Sequence, residues 1–214
     1  MEIAAFAAEV EAMNGNDCVE PKISLRTTPG GGRVSWQICG CMADPQYVPG
    51  SARLDGEPVA DRYDTTQAGG IAALAAVYEK VFAGGQLLAF TQNSAAPRFV
   101  NVVAYGPAME LPDGATCYPR LTTDRVESPG DVENPLMVLC DESYRPGTVG
   151  SMAPFTLSDQ DPAALAGVWE QAAAAGVPAE DVQYIEFAAI DGGPLAASVM
   201  TTSFRQFEIV IEEP

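Results

Sequence analysis

Three segments of this chain carry apolar residues at helical spacing, and each is followed by two segments patterned as strands. The units begin near residues 3, 71 and 162. In the first, Ile3, Phe6, Val10 and Met13 share a face and Asn14-Gly15 ends the helix. In the second, Ile71, Leu74, Ala75, Tyr78, Val81 and Phe82 repeat the i, i+3, i+4, i+7 pattern from about Gly70 to Ala83, and Gly84-Gly85 stop it. In the third, Asp161 stands at the N-cap and Pro162 at the first helical position, while Leu165, Val168, Trp169 and Ala172 form the apolar face.

The strands pair locally. Ile23, Leu25 and Thr27 alternate with Lys22, Ser24 and Arg26. After the Pro29-Gly-Gly-Gly32 turn, Val34, Trp36 and Ile38 alternate with Arg33, Ser35 and Gln37, which predicts a hairpin with Trp36 facing the core. Gln86–Gln92 and Arg98–Tyr105 are nearly continuous in apolar residues, as strands buried on both faces are. Ala115–Arg120 and Pro135–Cys140 are short extended pieces among loops. Val182–Ile190 and Leu195–Ile211 are expected to form a final hairpin across Asp191-Gly-Gly-Pro194. Residues 43–67, rich in Pro, Gly and Asp, are expected to be a structured excursion with a turn at Asp55-Gly56.

The class predicted is α+β: mainly antiparallel sheet with three amphipathic helices and long Pro/Gly-rich loops, in a single domain spanning residues 1–214. The helix–hairpin units allow an internal repeat, although helices packed on antiparallel sheet give the same order without one.

Composition bears on function more than on fold. The net charge is -18, from 29 acidic and 11 basic side chains, and there is no histidine. A field of that sign repels phosphate backbones and anionic headgroups, so neither nucleic acid by basic contact nor a membrane surface is an expected partner. Without imidazole, Ser-His and Cys-His pairs and histidine zinc sites are excluded. Gly-Lys-Ser/Thr, GxGxxG, GxSxG, SxxK and CxxC are absent, so no cofactor is implied. Asp159, Asp161 and Glu170 imitate three positions of a calcium loop, but Ala164 replaces its turning glycine, so these acids are read as charging a helix N-terminus.

The five cysteines, Cys18, Cys39, Cys41, Cys117 and Cys140, are odd in number and scattered, which predicts free thiols in a reducing compartment. Cys39-Gly-Cys41 lacks the further ligands of a zinc site. Glu2, Glu9 and Glu11 contradict a cleaved signal, and no stretch reaches the roughly 18 apolar residues of a membrane span. Cytoplasmic synthesis is therefore expected.

Two charged clusters stand out as candidate partner-binding residues. Asp124, Glu127, Asp131, Glu133, Asp141 and Glu142 crowd a loop-rich stretch with only Arg125 as compensation. Lys22, Arg26 and Arg33 form the one basic cluster, expected on the exposed face of the first hairpin. Residues 108–214 carry -14 of the net charge, so the hairpin of one copy could meet the acidic half of another. The expected function is a non-catalytic structural or interaction protein, an accessory component of a virion or similar large complex, with copies of itself or other assembly subunits as partners. An acidic inhibitor or immunity-type protein that neutralises a basic partner or mimics nucleic acid is the alternative. A carboxylate- or cysteine-based enzyme is the third reading.

Overall fold

The computed structural model describes residues 8, 22–39, 46–96, 99–111, 113–123, 138–141, 152–190 and 192–211. The expected helix over residues 3–13 lies outside them, apart from Ala8. Two α-helices are present among the described residues where three were expected along the whole chain, and the remainder is mostly antiparallel sheet.

A five-stranded sheet comes first, with β1 (Lys22–Thr27), β2 (Arg33–Cys39), β3 (Gln46–Tyr47), β4 (Arg53–Leu54) and β5 (Glu57–Pro58). Its order is β1-β2-β4-β5, with β3 also on β2. The Asp55-Gly56 turn between β4 and β5 has both residues at positive φ (54° and 92°), the geometry that suits the twist of a tight hairpin. Helix α1 (Ala68–Val81) follows.

The hairpin turn after β1 docks on the end of α1. Thr28 Oγ1 and the Gly32 amide donate to the Lys80 carbonyl (2.8 and 3.3 Å), and the Gly30 amide donates to the Val81 carbonyl (2.9 Å). Helix C-terminal carbonyls have no partner within their own helix, and here the turn supplies donors for them. The approach explains the glycine run, since a Cβ on Gly30 would meet Lys80 O at 2.5 Å and Phe82 O at 2.6 Å.

The next elements are β6 (Gln86–Leu87), β7 (Ala89–Ala96), β8 (Phe99–Tyr105), β9 (Met109–Glu110), β10 (Thr116–Thr123) and β11 (Val138–Asp141). After them come β12 (Met152–Ala153), β13 (Phe155–Thr156), helix α2 (Pro162–Ala174), β14 (Val182–Ile190), β15 (Leu195–Thr201) and β16 (Gln206–Val210). The nine-stranded sheet runs β11-β10-β8-β7-β14-β15-β16, with β12 on β14 and β9 on β10, while β13 pairs β6 separately. Asp161 accepts the Ala163 amide at 2.9 Å and caps α2, so its expected structural role holds.

One cross-strand row fixes the core. Leu121, Ala104, Phe90, Phe187 and Ala197 lie side by side on five neighbouring strands, and all five are fully buried. Tyr78 of α1 meets Phe90 edge to face at 6.3 Å, and Phe90 meets Phe187 at 5.5 Å. On the same side, Trp169 Nε1 of α2 donates to Gln92 Oε1 at 2.6 Å. The two helices pack on each other and cover this face, and Trp36, Val34 and Leu54 of the small sheet join the same core.

The C-terminal segment departs from expectation. Leu195–Ile211 is not one long strand, because a second turn divides it into β15 and β16. Thr201 closes the turn twice over: its amide donates to the Arg205 carbonyl, and its Oγ1 accepts the Arg205 amide, both at 2.9 Å. Phe204 sits at φ 59°, a conformation that bulky L residues rarely adopt. The division makes β16 an outer strand, paired among the described residues with β15 alone.

Candidate interaction surface

The basic cluster is split by the hairpin register. Arg26 pairs with Val34 and Lys22 with Ile38, whereas Arg33 pairs with Thr27. Directly paired residues share a face, so Lys22 and Arg26 lie on the Trp36 side and Arg33 on the opposite side. The expectation of one three-residue patch is corrected: alternation within each strand is visible in sequence, but the turn sets how the two alternations combine. The Arg26 guanidinium lies over the Trp36 ring, 5.7 Å from its centroid. Leu25, on the Arg33 side, is 57% exposed.

Of the acidic cluster, Asp124, Glu127, Asp131, Glu133 and Glu142 lie outside the described residues. Asp141 is on β11 and pairs with Arg120 of β10 at 3.5 Å. Its charge is compensated from the neighbouring strand, which removes the motive for reading it as an unneutralised contact acid. Asp55 behaves similarly, accepting the Arg33 amide at 2.9 Å and pairing with Lys80 at 3.6 Å.

The free-thiol expectation is corrected as well. Cys117 and Cys140 form a disulfide between β10 and β11, and Cys39 is also disulfide-bonded. The register puts Cys140 beside Pro119, on the same sheet face as Cys117, with Cα atoms 5.4 Å apart, within the span that a disulfide bridges. Sequence spacing carried no sign of that proximity, because 23 positions separate the two.

This disulfide walls a cleft of about 220 Å³ between the first hairpin and the end of the large sheet. Its lining includes Arg26, Thr28, Pro29, Met109, Leu111 and Pro119. Arg26 is the one charged group among its described lining residues. Among the described residues no group of three or more Cys, Asp or Glu is placed to hold a metal ion. No described helix is long and apolar enough to cross a membrane.

A second polar cluster holds the 43–67 excursion in shape. Asp61 accepts from the Tyr47 hydroxyl at 2.5 Å and from the Gly50 amide at 2.7 Å, and Ser51 Oγ accepts the Gln37 amide at 3.0 Å. Burial, and then the bond to Asp61, raise the Tyr47 pKa. Burial with the Asp61 charge pushes Tyr63 up to about 12. Tyr78 is raised well above the ordinary value by complete burial, and its hydroxyl has no hydrogen-bond partner among the described residues. These tyrosines stay neutral at physiological pH and act as donors or fillers, so the cluster is a structural lock.

The sheet face turned away from the helices carries a row running Val103, Thr91, Glu186, Ser198 and Glu208 across β8, β7, β14, β15 and β16. Burial raises the pKa of Glu186, opposed by its hydrogen bond to Thr91. A carboxyl whose folded pKa is raised stabilises the fold below the ordinary carboxylate range and loses that contribution as pH climbs through the folded value. Glu186→Gln is therefore expected to give a modest gain in stability at neutral pH that vanishes in acid. Urea midpoints across a pH series check this, and equal midpoints at neutral pH would contradict it.

The outer strand β16 is the feature that sequence reading missed. Phe204, 81% exposed, stands two residues before it, and Val210, 55% exposed, ends it. The signal was present only as an absence, because the turn that frees β16 contains no Gly or Pro. Comparison of the chain with protein-family models, with curated proteins and with solved structures finds no match.

Proposed function

We propose that this is a non-catalytic structural or interaction protein acting in an assembly, an accessory component of a virion or similar large complex, with copies of itself or other assembly subunits as its partners. The observation that supports this best is the outer edge of β16, flanked by Phe204 and Val210. An outer strand presents unpaired N–H and C=O groups to any extended segment that approaches. Gln206–Val210 contains no Pro, and Glu208 is its one charge, which favours a partner edge that brings a cation. A large aromatic ring held almost wholly in water beside that edge is a further feature of contact surfaces.

Light scattering over a concentration series, at low and high salt and with and without calcium, tests the proposal. The expected mass exceeds the 22.5 kDa chain, rises with concentration and falls as salt screens the contacts. A strict 22.5 kDa monomer under every condition would overturn self-assembly. It would favour the acidic inhibitor, a reading motivated by the -14 charge of residues 108–214.

A further inference from the structure

We propose that β1 of one copy adds to β16 of the next as an antiparallel pair, so that copies join head to tail through two different strand edges. This rests on the assembly reading above and names its interface.

Both strands are outermost among the described residues, β1 contacting β2 alone in its sheet and β16 contacting β15 alone. They match in length, at six and five residues. They also match in pattern. β1 carries Lys22, Ser24 and Arg26 on one face and Ile23, Leu25 and Thr27 on the other, while β16 carries Gln206, Glu208 and Val210 against Phe207 and Ile209. An antiparallel register with Leu25 opposite Phe207 sets Ile23 opposite Ile209, giving two apolar pairs on one face. On the other face Ser24 falls opposite Glu208, which then has Arg26 and Lys22 as its diagonal neighbours, within reach for long side chains.

Charge selects this pairing over the symmetric ones. Two β16 edges would bring both Glu208 carboxylates onto one face of the seam, and two β1 edges would do the same with Arg26; like charges so placed are unfavourable. Joining β1 to β16 sets opposite signs together, and the acidic bias of residues 108–214 gives the approach the same polarity. A contact between two different patches is not self-complementary; it builds a ring where the rotation between copies closes and an open filament where it does not.

The test uses Arg26→Glu and Glu208→Arg, both at exposed positions. Each variant alone places like charges across the seam, so self-association should fall about tenfold or more. An equimolar mixture restores opposite charges at every seam and should recover the wild-type mass distribution, as should the double swap within one chain. Recovery in the mixture supports the proposal. A wild type that assembles while either single variant assembles equally well overturns this interface and leaves the assembly reading standing. The interface is overturned in the same way if both single variants are weakened and the mixture stays dissociated. A wild type that never assembles overturns both.

Discussion

Truncating Phe90 to alanine should remove about 3–5 kcal/mol of unfolding free energy, the range for deleting a buried phenyl ring. Phe90 has no exposed surface, sits centrally in the row that joins β10 to β15, and contacts both the Tyr78 ring of α1 and the Phe187 ring of β14. The lost ring contacts and the cavity left behind add, because sheet on one side and helix on the other limit collapse into the gap. At about 2–4 °C per kcal/mol for a chain of this size, the melting temperature should drop by roughly 6–20 °C. Phe204→Ala serves as control. Its ring is 81% exposed, so the effect should stay within about 0.5 kcal/mol. Thermal melts followed by circular dichroism compare the two, and similar melting temperatures for both variants would contradict the core assignment.

Removing the disulfide between Cys117 and Cys140 should cost about 3 kcal/mol, the stabilisation expected when a bond closes a loop of this length in the unfolded chain. Cys39 is disulfide-bonded too, so reductant alone mixes two effects. The paired variant Cys117→Ala with Cys140→Ala isolates this one. Its urea midpoint should fall, and alkylation of the unreduced wild type should leave both positions unlabelled. An unchanged midpoint together with labelling of both thiols would restore the free-thiol reading. Bonds of this kind persist in oxidising surroundings, which places a condition on where the folded protein works.

Helix period and capping chemistry were the most legible parts of the fold. The α2 start follows from Asp161 and Pro162, and α1 from the Ile71-to-Phe82 stripe, because both signals are local. Trp36 was rightly directed to the core, and the antiparallel character followed from paired strand segments with short turns between them. What was not legible depends on register and on distant neighbours. The split of Lys22 and Arg26 from Arg33 is set by how the Pro29-Gly32 turn joins two strands. The Asp141–Arg120 pair and the Cys117–Cys140 bond exist because β10 and β11 are adjacent, which sequence order alone leaves open. The turn at Phe204 was missed for a local reason. Residues 202–205 contain no Gly, Pro or Asn, so the alternation of Leu195–Ile211 reads straight through a reversal that is held instead by Thr201.

Amide hydrogen exchange, read by mass spectrometry at low and high protein concentration, tests most directly that strand edges are the contact surface. The prediction is that Lys22–Thr27 and Gln206–Val210 gain protection as concentration rises, while core strands such as Val182–Ile190 stay as slow as before. Exchange independent of concentration in both edge segments, or protection gained elsewhere with these two unchanged, would contradict it.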